Sequence, residues 1–75
     1  MEVIAQFRIN ERLVNIIKNK TPYFGGYYSV EVMFIGDKEP SFEKKGFCLD
    51  AAHDFAATLT KQININEINI QKLIN

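Results

Sequence analysis

Residues 27–35 alternate in character, with Tyr28, Val30, Val32 and Phe34 on one side and Tyr27, Ser29, Glu31, Met33 and Ile35 on the other. A period of two, rich in β-branched and aromatic residues, is the pattern of a strand. The polar run Gly36-Asp37-Lys38-Glu39-Pro40 follows at once, and five such residues make a hairpin loop. The chain is therefore committed to an antiparallel return, which we place at 41–49. Phe42 is out of phase with Phe47 and Leu49, so a bulge near Lys45-Gly46 is needed to bring all three to one side.

The rest of the chain supplies the elements around that hairpin. Residues 2–9 alternate as well, with Val3, Ala5, Phe7 and Ile9 opposed to Ile4, Gln6 and Arg8, and read as a strand. Asn10 suits a helix N-cap, and Leu13, Ile16, Ile17 and Lys20 recur at helical spacing, so the spacing predicts a short helix over 11–19. Pro22 ends it, and Gly25-Gly26 gives a flexible turn. Asp50 is placed as a second N-cap before the apolar stripe Ala52, Phe55, Ala56, Leu59 and Ile63. The tail fits two patterns: Ile68 and Ile70 alternate, while Ile70, Leu73 and Ile74 also fit a helix. We assign a strand at 67–73 on its β-branched content. The expected architecture is α+β, a four-stranded antiparallel sheet with two helices on one face in ferredoxin-like βαββαβ order.

Length allows one domain, residues 1–75, and 47% hydrophobic content allows one core. Nine cationic residues against nine anionic ones leave no net charge, which points to neither a strongly basic nucleic-acid binder nor an acidic mimic. Cys48 is the only cysteine, so no internal disulfide and no multi-cysteine metal cage can form. The first residues lack the charged and apolar regions of a signal peptide, and no run reaches the roughly 20 apolar residues of a membrane span. A cytoplasmic location is the expectation. Ile, Asn and Lys supply 24 of 75 residues, a bias that AT-rich genomes produce. Small chains in such genomes are often regulators or inhibitors from phages and mobile elements.

Few residues suggest chemistry. His53 is the only histidine, and a nucleophilic or two-carboxylate site would have to use it with Asp50 and Asp54. A solvated helix start is the simpler reading, so no enzyme, cofactor or metal is expected. Leu49-Asp50-Ala51-Ala52-His53 resembles a stretch of the tunnelling-fold pterin synthases, whose histidine binds zinc. Those enzymes also need a His-x-His pair, which is not in this sequence. Lys45-Gly46-Phe47-Cys48 resembles the start of the Lys/Arg-Gly-aromatic motif of the RNA recognition motif family, which implies stacking of unpaired bases on sheet aromatics. Leu49 stands where the next stacking aromatic belongs.

Two functions are expected from these residues. The first is a non-catalytic module binding a protein partner or a second copy of itself through Tyr23, Phe24, Tyr27, Tyr28, Met33 and Ile35, because exposed tyrosines and apolar patches mark interfaces. The second is single-stranded nucleic-acid binding through Arg8, Lys44, Lys45 and Phe47.

Overall fold

The computed structural model describes the backbone of residues 2–74 and the side chains of residues 2–66. Four strands run in sequence, β1 (Glu2–Ile9), β2 (Arg12–Tyr23), β3 (Gly26–Phe34) and β4 (Phe42–Phe47), followed by one helix, α1 (Leu49–Ile74). The strands form an antiparallel meander in the order β1-β2-β3-β4. This is a small α+β domain with a four-stranded antiparallel sheet. The expected two helices and the ferredoxin-like βαββαβ order are not what the chain adopts.

Both ends of the expected order differ for identifiable reasons. Residues 11–19 belong to β2: Val14 and Ile16 alternate against Leu13, Asn15 and Ile17, and pairing with strands on both sides uses that alternation. The β-branched trio Val14, Ile16 and Ile17 favours the strand over the helix that the same spacing permits. Asn10 is not a cap but a turn residue with φ of 52°, a left-handed conformation that Asn tolerates. The tail expected as a strand at 67–73 continues α1 instead. No sheet edge is then needed for it, and its apolar residues also fit the helical period.

The hairpin expected from residues 27–49 is present in part, with its bulge: β4 ends at Phe47, and Leu49, expected on the return strand, opens α1 instead. Tyr28 pairs with Phe47 and Ser29 with Lys45, which leaves Gly46 as the extra residue at φ of 93°. Phe42 and Phe47 thereby reach the same face, where both meet Phe55 of α1 at ring separations of 6.1 and 5.1 Å. At β1 a register shift between Val3 and Ala5 separates Val3, paired with Ile17, from the run Ala5, Phe7 and Ile9.

The core lies between α1 and the sheet. Val14, Ile16, Val30 and Val32 from the two central strands are buried against Ala52 and Ala56 of the helix. The two alanines let the helix approach closely, and Phe55, Leu59 and Ile63 pack around them. Ile16 makes no contact with solvent, and its truncation to Ala would cost about 2–5 kcal/mol. Four strands about 4.8 Å apart make a sheet about 19 Å wide, whereas one helix is about 10 Å across. A groove therefore remains on each side of α1, one along Phe7, His53 and Lys61 and one along Phe42, Leu59 and Asn66.

Candidate functional site: the uncovered sheet face and its aromatic tip

Among the described residues no element covers the face of the sheet away from α1, and its centre is held by polar side chains. Gln6 Nε2 donates to Asn15 Oδ1 at 2.8 Å, and Asn15 Nδ2 donates to Glu31 Oε1 at 3.0 Å, a chain across three strands. Asn19 Nδ2 donates to Ser29 Oγ at 2.6 Å beside it. Asn15 is only 3% exposed, and these bonds give both the oxygen and the nitrogen of its amide a partner. Toward β4 the face is concave, with a hollow of about 280 Å³ between Tyr23, Ser29, Met33 and Lys45.

One wall of this hollow is built by the far end of the β2–β3 hairpin. Pairing is interrupted between Lys18 and Tyr23, a stretch that contains Pro22, which has no N–H for a ladder. The end of the hairpin then crosses β4 at very close range. A methyl group on Gly26 would collide with the Gly46 carbonyl and lie 2.6 Å from the Phe47 carbonyl oxygen, so only glycine permits this crossing. Tyr23 is carried over Lys45, whose Nζ sits 4.3 Å from the ring centroid. Lys45 also forms a 3.3 Å ion pair with Glu43. The hydrogen bond to Glu43 foremost, then one to Tyr23, holds the Lys45 ammonium above the ordinary lysine range.

Because Gly26 is committed to that crossing, the tight turn falls one residue earlier than the Gly-Gly pair suggests. Tyr23 pairs with Gly26, and the two loop residues are Phe24 and Gly25, with φ of 50° and 84°. Positive φ at both central residues is the I′ hairpin geometry, for which Asn-Gly or Gly-Gly is the usual choice. Phe24 therefore holds a conformation that costs a residue with a Cβ about 1–2 kcal/mol. Its side chain is 100% exposed and gains no burial in return. Tyr23 and Tyr27 flank it, Tyr27 being 47% exposed above a shallow hollow formed with Glu2, Lys18 and Lys20.

The residues expected to bind a partner divide into separate groups. Tyr23, Phe24 and Tyr27 gather at this tip. Met33 lies further along the same face, half-buried, and Ile35 is exposed beyond the other end of β3, where its N–H donates to the Glu11 carbonyl. Tyr28 is on the helix side, packed against the core. The residues expected to bind nucleic acid divide too. Arg8 and Lys45 lie on the uncovered face, and Arg8 Nε donates to the Asn10 carbonyl at 3.2 Å. Lys44 and Phe47 lie on the helix side, where Phe47 stacks on Phe55 and the Lys44 ammonium sits 5.8 and 5.3 Å from the two ring centroids. Packing of Phe47 under α1 removes it as a stacking platform.

His53 is exposed on the helix. Among the described residues no group of three or more His, Cys, Asp or Glu side chains could hold a metal ion, and no helix is long and apolar enough to cross a membrane. The strain at Phe24 and the polar chain through Asn15 are the features that sequence reading did not find. The signal for the first was present in Tyr23-Phe24-Gly25-Gly26 once a second glycine, Gly46, is set opposite Gly26. Compared with protein families, curated proteins and solved structures, the chain matches none.

Proposed function

We propose that the chain is a non-catalytic interaction module that engages a protein partner through the aromatic tip of its β2–β3 hairpin, in the manner of a small regulator or inhibitor. The observation that carries this reading is Phe24, a fully exposed aromatic residue in a left-handed turn position. Backbone strain that no internal contact repays tends to sit at functional positions. Phe24, Tyr23 and Tyr27 form the kind of rigid amphipathic cluster that anchors interfaces. Burial of the Phe24 ring in a partner would contribute about 1.5–3 kcal/mol, or roughly 10- to 150-fold in affinity. The test is quantitative affinity capture from host extract, with wild-type protein and Phe24→Asn as parallel baits. Proteins retained by the first and lost by the second support the proposal. Identical capture by both baits rejects it.

A second reading, single-stranded nucleic-acid binding, is favoured by one observation, the placement of Lys45 under Tyr23 at the rim of the concave hollow, with Phe24 and Tyr27 close by. Aromatic platforms interleaved with cations are what unpaired bases and their phosphates require. Glu31 and Glu43 on the same face oppose it. A fluorescence-anisotropy titration of single-stranded DNA and RNA decides between the two. Saturable binding that weakens with salt and disappears in Lys45→Glu favours nucleic acid, and no binding at low salt leaves the protein partner.

A further inference from the structure

We infer that β1 pairs antiparallel with β1 of a second copy of this chain, joining the two sheets edge to edge across a two-fold axis at Phe7. β1 and β4 are the outer strands of the sheet. Of the two, β4 is shielded: the end of the β2–β3 hairpin crosses it at Gly46, and Glu43, Lys44 and Lys45 fill the middle of the strand. Among the described residues β2 is the one strand beside β1, so the outer edge of β1 is open. Its register with β2 is continuous from Ala5 to Ile9, a run in which Arg8 carries the one charge. Phe7, at the middle of this run, is 40% exposed.

The hairpin fixes which backbone groups of that edge are free. Its loop consists of Asn10 and Glu11, so the closing pair Ile9 and Arg12 exchanges both of its hydrogen bonds. Alternation then turns the N–H and C=O groups of Phe7 and Ala5 toward β2 as well, and those of Gln6 and Arg8 outward. Side chains alternate in step. Ala5 and Ile9 pack on the core and Phe7 faces α1 beside His53 and Lys61, whereas Gln6 is bonded to Asn15 on the uncovered face.

These five residues complement themselves in one register. With the axis at Phe7, Gln6 of each copy lies opposite Arg8 of the other, and the two exchange their outward hydrogen bonds. Ala5 then lies opposite Ile9, and Phe7 opposite its own copy as a pair without hydrogen bonds, the kind whose side chains approach closest. Every pair shares a face, and no two like charges meet. An axis between residues would set helix-side residues against uncovered-face ones. An axis at Arg8 would oppose two arginines. An axis at Gln6 would stop after Ala5, because the register shift leaves Ile4 unpaired. The joined sheet has both helices on one face, and the two Phe7 rings meet at its centre, where each copy alone has a groove of about 390 Å³. The contact is isologous, so it closes at two copies. Tyr23 and Phe24 take no part in it, and it stands apart from the proposed partner site.

The test is amide hydrogen exchange read by NMR, with sedimentation equilibrium, on the whole chain from about 20 to 500 μM. The expected mass at the upper end is twice 8.6 kDa. The Gln6 and Arg8 amides should exchange more slowly as concentration rises, while Phe7 and Ile9, bonded to β2, are protected throughout. Arg8→Pro removes an outward N–H and sets a ring where the second strand would lie, yet takes nothing from the β1–β2 ladder. It should fold, as read by circular dichroism, with its dissociation constant raised about 100-fold or more. If it does not fold, the amide pattern of the wild type decides by itself. A wild-type monomer at the highest concentration, an assembly larger than a dimer, a dimer whose Gln6 and Arg8 amides exchange freely, or a folded Arg8→Pro that dimerises as well as wild type would each overturn the inference.

Discussion

Replacement of Phe24 by asparagine should make this protein more stable. The ring is fully exposed, so its removal forfeits no packing, while the backbone at φ of 50° remains unfavourable for Phe. Asparagine tolerates this region and is the usual residue at that position of an I′ turn ahead of Gly25. Of the 1–2 kcal/mol attached to a left-handed residue with a Cβ, about 1 kcal/mol should be recovered. In a domain of 60–100 residues that corresponds to a rise of about 4–8 °C in Tm. Thermal and urea unfolding measured together provide the assay, at one fixed protein concentration so that self-association does not enter. Two companions isolate the cause. Phe24→Ala removes the ring but keeps a Cβ at positive φ, and should change stability by less than about 0.5 kcal/mol. Phe24→Gly relieves the strain but frees the unfolded chain, and should fall between the other two. If Phe24→Asn and Phe24→Ala both destabilise by 1 kcal/mol or more, the ring is packed in solution and the argument from strain fails.

Other consequences follow from the same geometry. Gly26→Ala should cost several kcal/mol, because its methyl group meets backbone carbonyls of Gly46 and Phe47 that cannot move aside; urea denaturation of this variant should show little or no folded baseline. Asn15→Ala breaks the chain from Gln6 to Glu31 and leaves its ends under-satisfied, with an expected loss of about 1–3 kcal/mol by the same measurement. The raised affinity of Lys45 for its proton, due first to Glu43, keeps its amine charged as pH climbs past 10.5. Any stability it contributes is complete below the unfolded value and fades as pH rises through the higher folded one. Acylation of Lys45 near pH 10 should therefore be faster in Glu43→Gln than in wild type, as read by mass spectrometry of the labelled peptides.

How far the sequence discloses this fold depends on how many patterns each segment satisfies. The hairpin from 27 to 47 satisfies only one: its alternation, its five-residue loop and the glycine bulge all agree, and all are found. The stripe from Ala52 to Ile63 is equally unambiguous. Residues 11–19 satisfy two patterns, because Leu13, Ile16 and Ile17 fit a helix while Val14 and Ile16 fit a strand. Only the neighbouring strands, unknown at that point, decide in favour of the sheet. The tail is ambiguous in the same way, and the helix prevails there. The candidate site is less legible than the fold. A cluster of aromatics around Pro22 is visible in sequence, but its division depends on a crossing between Gly26 and Gly46 that lie 20 positions apart. That contact sends Tyr23 over Lys45 and Phe24 into solvent, while strand parity sends Tyr28 under the helix.

The most direct test of the proposed function is the dissociation constant for the captured partner, measured by titration calorimetry with wild type, Phe24→Ala and Phe24→Asn. The account predicts that both variants bind roughly 10- to 150-fold more weakly, and that Phe24→Asn does so while being the most stable of the three proteins. Equal affinities across the three would contradict it, because the exposed ring would then contribute nothing to the contact it is proposed to make.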